Sequence, residues 1–117
     1  MYQRPIDAKN LREQGRIVLA HGEVTGHAHE VVVDGDDAAD IEIPVADFFE
    51  ESDGRRVLLV TRACMLRHEE HGSIRLDPAA PQQVRQGDVL LTPIGDGAWE
   101  VIRQREYEPA GIRQVAD

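Results

Sequence analysis

No part of this chain sustains the three-to-four apolar spacing of a helix beyond a single turn, and this constrains its fold more than any other feature. The apolar residues come as short aliphatic and β-branched runs cut by Gly, Pro and Asp. Ile17, Leu19 and His21 alternate with Val18, Ala20 and Gly22, which predicts a strand over 16–21. The glycine-bounded segment 22–26 reads as a turn. A second strand is expected over 27–34, ended by Asp34-Gly-Asp-Asp37. Residues 40–44 predict a short strand, and 45–51 one helical turn stopped by Ser52-Asp-Gly54.

The run 57–67 predicts one central strand, interrupted by His68-Glu-Glu-His71-Gly72, with 73–76 returning as its partner. Residues 77–87 read as a loop. Strands over 88–94 and 98–107 are joined by Gly95-Asp-Gly97, a hairpin signal. About seven or eight short strands predict an all-β fold, a small single-domain β-barrel or sandwich that is cupin-like in architecture, with at most one short helix. Residues 1–15 are expected to form an irregular N-terminal arm and 16–117 a single β domain, since 117 residues have room for one core.

Charge and composition exclude several functions. The net charge is −9, and residues 30–54 hold ten acidic side chains with no Lys or Arg. Such a chain lacks the positive field that draws phosphate backbones, so general nucleic-acid binding is not expected. The acidic 30–54 region is instead a candidate docking face for a protein partner. The longest aliphatic run, 57–60, is far too short for the ~20 residues that span a bilayer, so no membrane association is expected. The N-terminal segment lacks the apolar stretch of a secretion signal, and a cytoplasmic location is the expectation. The single cysteine, Cys64, excludes an internal disulfide framework and a Cys-rich zinc ribbon.

All five histidines fall in two windows, His21-Gly-Glu-Val-Thr-Gly-His27-Ala-His29 and His68-Glu-Glu-His71. Neutral imidazole is the commonest metal-ligating side chain near neutral pH. On a strand His27 and His29 point to one face, roughly 6.5 Å apart along it. Val31 and Val33 continue that face, so it should be buried. A hairpin at 22–26 would return His21 beside His27. His68 and His71 meet if Glu69-Glu70 form a two-residue hairpin, or if the four residues make a helical turn. Buried imidazoles without partners are costly, so the pattern points to a metal site built from His21, His27, His29, His68 and His71. All-nitrogen ligation suits Zn, Ni, Cu or Fe.

The His-x-His pair followed by later histidines on a small β fold resembles the cupin arrangement in part. Gly22 precedes His27 by five residues, one short of the cupin spacing, and no Glu lies three or four residues beyond His29. The second cupin motif is absent around His68. A closer resemblance is to a small group of uncharacterised bacterial proteins. These combine His-Gly-Glu-Val-Thr-Gly-His-x-His, His-x-x-His and Arg-Gln-Arg-Glu-Tyr segments, here residues 21–29, 68–71 and 103–107. The resemblance implies that the motifs belong together and supplies no reaction.

Other residues are candidates for chemistry beside an ion. Glu23 lies between His21 and His27 and is a candidate general base toward metal-bound water. Arg103, Arg105 and Tyr107 share a strand face and form a candidate anion clamp, or else a solvated edge facing the acidic 30–54 stretch. Cys64 alternates with Leu66 and His68 and is expected in the core. Three functions stand open: a histidine-based transition-metal-binding protein, a cupin-like metalloenzyme acting on a small anionic substrate, and an acidic interaction module with a structural metal.

Overall fold

The computed structural model describes residues 2–21, 27–33 and 46–103. Among them there is no helix, and ten strands make two sheets: β1 (Lys9–Asn10), β2 (Ile17–His21), β3 (Ala28–Val33), β4 (Ala46–Glu50), β5 (Arg56–Val60), β6 (Cys64–Arg67), β7 (Ile74–Leu76), β8 (Val84–Gln86), β9 (Val89–Gly95) and β10 (Ala98–Arg103). One sheet has the order β1-β4-β5-β10-β9-β8 and the other β2-β3-β6-β7. Every pairing is antiparallel. The architecture is a sandwich rather than a closed barrel, and its core lies between the two sheets. Ile17, Leu19, Val31, Leu66 and Leu76 from the smaller sheet pack against Phe48, Leu58, Leu91, Trp99 and Val101 from the larger.

Several expectations are corrected. The predicted helical turn at 45–51 is strand β4, pairing Phe48 with Leu58 and Phe49 with Val57. Its adjacent phenylalanines serve two layers. Phe48 enters the main core, whereas Phe49 joins Val57 and Ala98 in a second cluster covered by Tyr2 and Ala8. The N-terminal arm is thus partly ordered by apolar burial. It adds β1 to the sheet edge, with Lys9 opposite Glu50, and the Tyr2 hydroxyl donates to Glu51. The predicted strand 57–67 is two strands, β5 and β6, in different sheets; residues 61–63 carry the chain across. β7 returns on β6 as expected, with Leu66 opposite Ile74 and Cys64 opposite Leu76.

The β9–β10 turn also ties the sheet together. Gly97 has φ +69°, and a Cβ there would lie 2.5 Å from the Val60 carbonyl oxygen, so only glycine permits this approach. The Val60 amide donates to the Gly97 carbonyl at 2.7 Å. Residues 77–87, read as loop, contain β8, which pairs with β9.

The outer face of the smaller sheet carries a buried carboxylate. Arg16 donates through Nε and Nη2 to Glu30 at 2.8 and 2.7 Å, and Arg67 Nη2 donates to Glu30 at 3.2 Å. The hydrogen bond from Arg16 holds the Glu30 carboxyl below its ordinary range, against the opposing effect of burial. A depressed folded value stabilises the fold above the unfolded carboxyl range, and this is lost as pH falls through the depressed value. Half of the Arg16 side chain is exposed, so solvent screening keeps the effect on the order of 1 kcal/mol. Glu30→Gln is therefore expected to lower stability at about pH 6 and to flatten the acid limb by about 1 kcal/mol down to about pH 3. Urea midpoints at the two pH values check this; an unchanged acid limb contradicts it.

Candidate functional site

Four of the five histidines come together at one end of the sandwich, where β3 begins, β6 ends and the β8–β9 turn closes the opposite sheet. His29 and Val31 occupy the inner face of β3, and both are buried. Cys64, Leu66 and His68 follow one another on the inner face of β6 and beyond its end, which buries His68. The ring of His68 is central: its centroid lies 4.4 Å from that of His29, 4.5 Å from His71 and 5.6 Å from His27. His71 stacks on His29 with centroids 6.1 Å apart. His68 and His71 meet through neither two-residue hairpin nor helix. The turn spans 69–71, and Gly72 takes φ +76°.

His21 stands apart, and the cause is a β-bulge. Ile17 pairs with Val31 and Val18 with Glu30, but Ala20, not Leu19, pairs with His29. The extra residue reverses the side-chain alternation beyond it, so Ala20 faces inward and His21 outward. There the His21 ring meets Glu13 at 2.9 Å, exposed on the other side of the sheet. Without the bulge His21 would have pointed inward as expected.

The β8–β9 hairpin supplies residues that the sequence reading did not single out. Gln86 pairs with Val89 across the two-residue turn Gly87-Asp88, and Gly87 has φ +59°, the positive φ of the first turn position in a II′ hairpin. A Cβ on Gly87 would lie 2.8 Å from His71 Nε2 and 3.2 Å from His29 Cε1, so both rings press against a bare backbone. The Gly-Asp dipeptide between Val84-Arg-Gln and Val89-Leu-Leu was the available signal.

Hydrogen bonds fix which nitrogen carries the proton on two rings. Gln86 Nε2 donates to the carbonyls of Leu66 at 3.0 Å and Gly72 at 2.6 Å, so its Oε1 must be the atom facing His29 Nδ1 at 2.8 Å. His29 Nδ1 is therefore the donor, and the neutral ring leaves a lone pair on Nε2. The Glu70 amide donates to His68 Nδ1 at 3.0 Å, so neutral His68 carries its hydrogen on Nε2. Burial, followed by the neighbouring His29 and His71, holds His68 below the usual histidine range, which keeps it neutral.

Asp88 completes the arrangement. Arg103 Nε donates to its Oδ2 at 2.6 Å, and its buried Oδ1 lies 3.4 Å from His29 Nε2. Arg103, a candidate for an anion clamp or a solvated edge, thus binds a carboxylate of its own chain. His29 Nε2, His68 Nε2 and Asp88 Oδ1 are buried without a hydrogen-bond partner. Farther out, His27 faces Glu69 at 3.5 Å and Glu70 at 3.4 Å. As the side chains lie, no three His, Cys, Asp or Glu groups among the described residues form a ready metal-ligating set. Cys64 packs in the core. Glu23, Arg105, Tyr107 and the acidic stretch 34–45 lie outside the described residues. No helix among the described residues is long and apolar enough to cross a membrane.

Fold and site together define a small antiparallel β-sandwich protein in which four imidazoles and a buried carboxylate meet at one end. The chain belongs to the family described as a domain of unknown function, DUF8820, which matches residues 3–79. That span contains all five histidines, while Gln86, Gly87, Asp88 and Arg103 lie beyond it. No curated protein and no solved structure gives a significant match.

Proposed function

We propose that this end of the sandwich binds one transition-metal ion, with His29 Nε2 and Asp88 Oδ1 as its anchoring ligands. The observation that carries the reading is their separation of 3.4 Å, with both atoms buried and unpartnered. Two acceptors facing each other need a cation between them. A proton would draw them to about 2.7–2.9 Å, the length of a charge-assisted hydrogen bond. A water donating to both would set them about 4.5 Å apart. Two ligands of a tetrahedral ion with bonds of about 2.1 Å stand about 3.4 Å apart.

The surrounding groups fit that role. Gln86 fixes the His29 tautomer that offers Nε2, and Arg103 orients the Asp88 carboxylate, as outer partners of metal ligands do. His71 and then His27 complete the shell by rotation of half-exposed or exposed side chains, a fast motion. A mixed imidazole and carboxylate set suits Zn above softer ions, with Ni and Fe as competitors. His21 takes no part.

Protein stripped with chelator and titrated with Zn is expected to take up one equivalent. Its melting temperature should rise by about 10 °C at a free concentration about 100 times the dissociation constant. No uptake of Zn, Ni, Cu or Fe overturns the proposal.

A further inference from the structure

The polar atoms at this site do not all have the same need. His29 Nε2 and Asp88 Oδ1 offer lone pairs, whereas His68 Nε2 offers a hydrogen, because the Glu70 amide already occupies Nδ1. A cation satisfies the first two and repels the third. The rings of His29 and His68 are only 4.4 Å apart, so whatever lies against one lies near the other. An oxygen atom bound to the ion is the group that accepts from His68 while remaining attached to the metal.

We infer that His68 is not a metal ligand but the hydrogen-bond donor to an oxygen ligand in the ion's remaining position, and that the site takes a small carboxylate anion there. This rests on the reading that His29 and Asp88 hold the ion. The charges agree: Arg103 offsets Asp88 at 2.6 Å, so the charge of a divalent ion is left uncompensated by this pair, and an anion in the remaining position reduces it. The two carboxylates beside His27 at the outer edge disfavour larger polyanions.

The test uses the full chain loaded with Co(II) and titrated with acetate, read in the visible spectrum. Wild type is expected to bind acetate. His68→Ala should keep one equivalent of Co(II) and bind acetate about tenfold or more weakly, the loss for one hydrogen bond to a charged acceptor. His68→Gln, which carries an amide N–H at a similar reach, should restore part of that affinity. Loss of the ion in His68→Ala, or unchanged acetate affinity, overturns the inference and leaves the anchoring pair standing. Absence of acetate binding to loaded wild type does the same. A long-range proton–nitrogen NMR spectrum of Zn-loaded wild type needs no variant. It should show His68 protonated on Nε2, and a metal-bound Nε2 overturns the inference. Wild type that takes up no ion overturns both readings.

Discussion

Asp88→Ala should lose stability and metal together. The substitution leaves the partly buried Arg103 guanidinium without the carboxylate that accepts from it at 2.6 Å. Losing one charge-assisted hydrogen bond between partly buried groups costs about 1.5–3 kcal/mol. The same change deletes one anchoring ligand, which should weaken Zn more than the about 10–100-fold lost when an outer partner is removed. The two losses separate in one experiment. Urea unfolding of the stripped variant reads the first, and the absence of a Zn-dependent rise in melting temperature reads the second. Asp88→Asn, which keeps the shape and loses the charge, should fall between. A variant that retains the full Zn response contradicts the ligand assignment.

Trp99→Ala should have the largest effect on the fold alone. Trp99 is fully buried where the two sheets meet, and its Nε1–H donates to the Gln82 carbonyl at 2.9 Å. Emptying such a site costs about 3–5 kcal/mol, a large part of the about 5–15 kcal/mol that holds an ordinary domain together. The loop around Gln82 loses its anchor to β10 at the same time, so the variant should be largely unfolded at modest urea. Trp99 is the only tryptophan, so circular dichroism rather than fluorescence must follow the transition. Trp99→Phe keeps most of the volume and should recover more than half of the loss. Equal loss in both variants would contradict the packing argument.

The all-β architecture was legible because short β-branched runs bounded by turn residues leave no other way to bury their faces. The failures have local causes. Phe48 and Phe49 obscured β4, since a strand covered on both faces shows no alternation. The crossing at 61–63 contains neither Gly nor Pro, so β5 and β6 read as one run. The convergence of His27, His29, His68 and His71 followed from strand parity and the compact second window. His21 was misplaced because the bulge that turns it outward leaves no mark in the sequence. Asp88 was missed because residues 77–87 read as loop and Asp88 as the start of the following strand, although the Gly87-Asp88 pair signals a turn. The tautomers of His29 and His68 depend on Gln86 and the Glu70 amide, contacts that no spacing rule reveals.

The most direct measurement is an anomalous difference map of crystals grown from protein reloaded with Zn, recorded at the Zn edge. A single peak about 2.0–2.2 Å from both His29 Nε2 and Asp88 Oδ1 is the predicted result. A peak beside His21 and Glu13 on the outer face, or no peak between the anchoring pair, would contradict it.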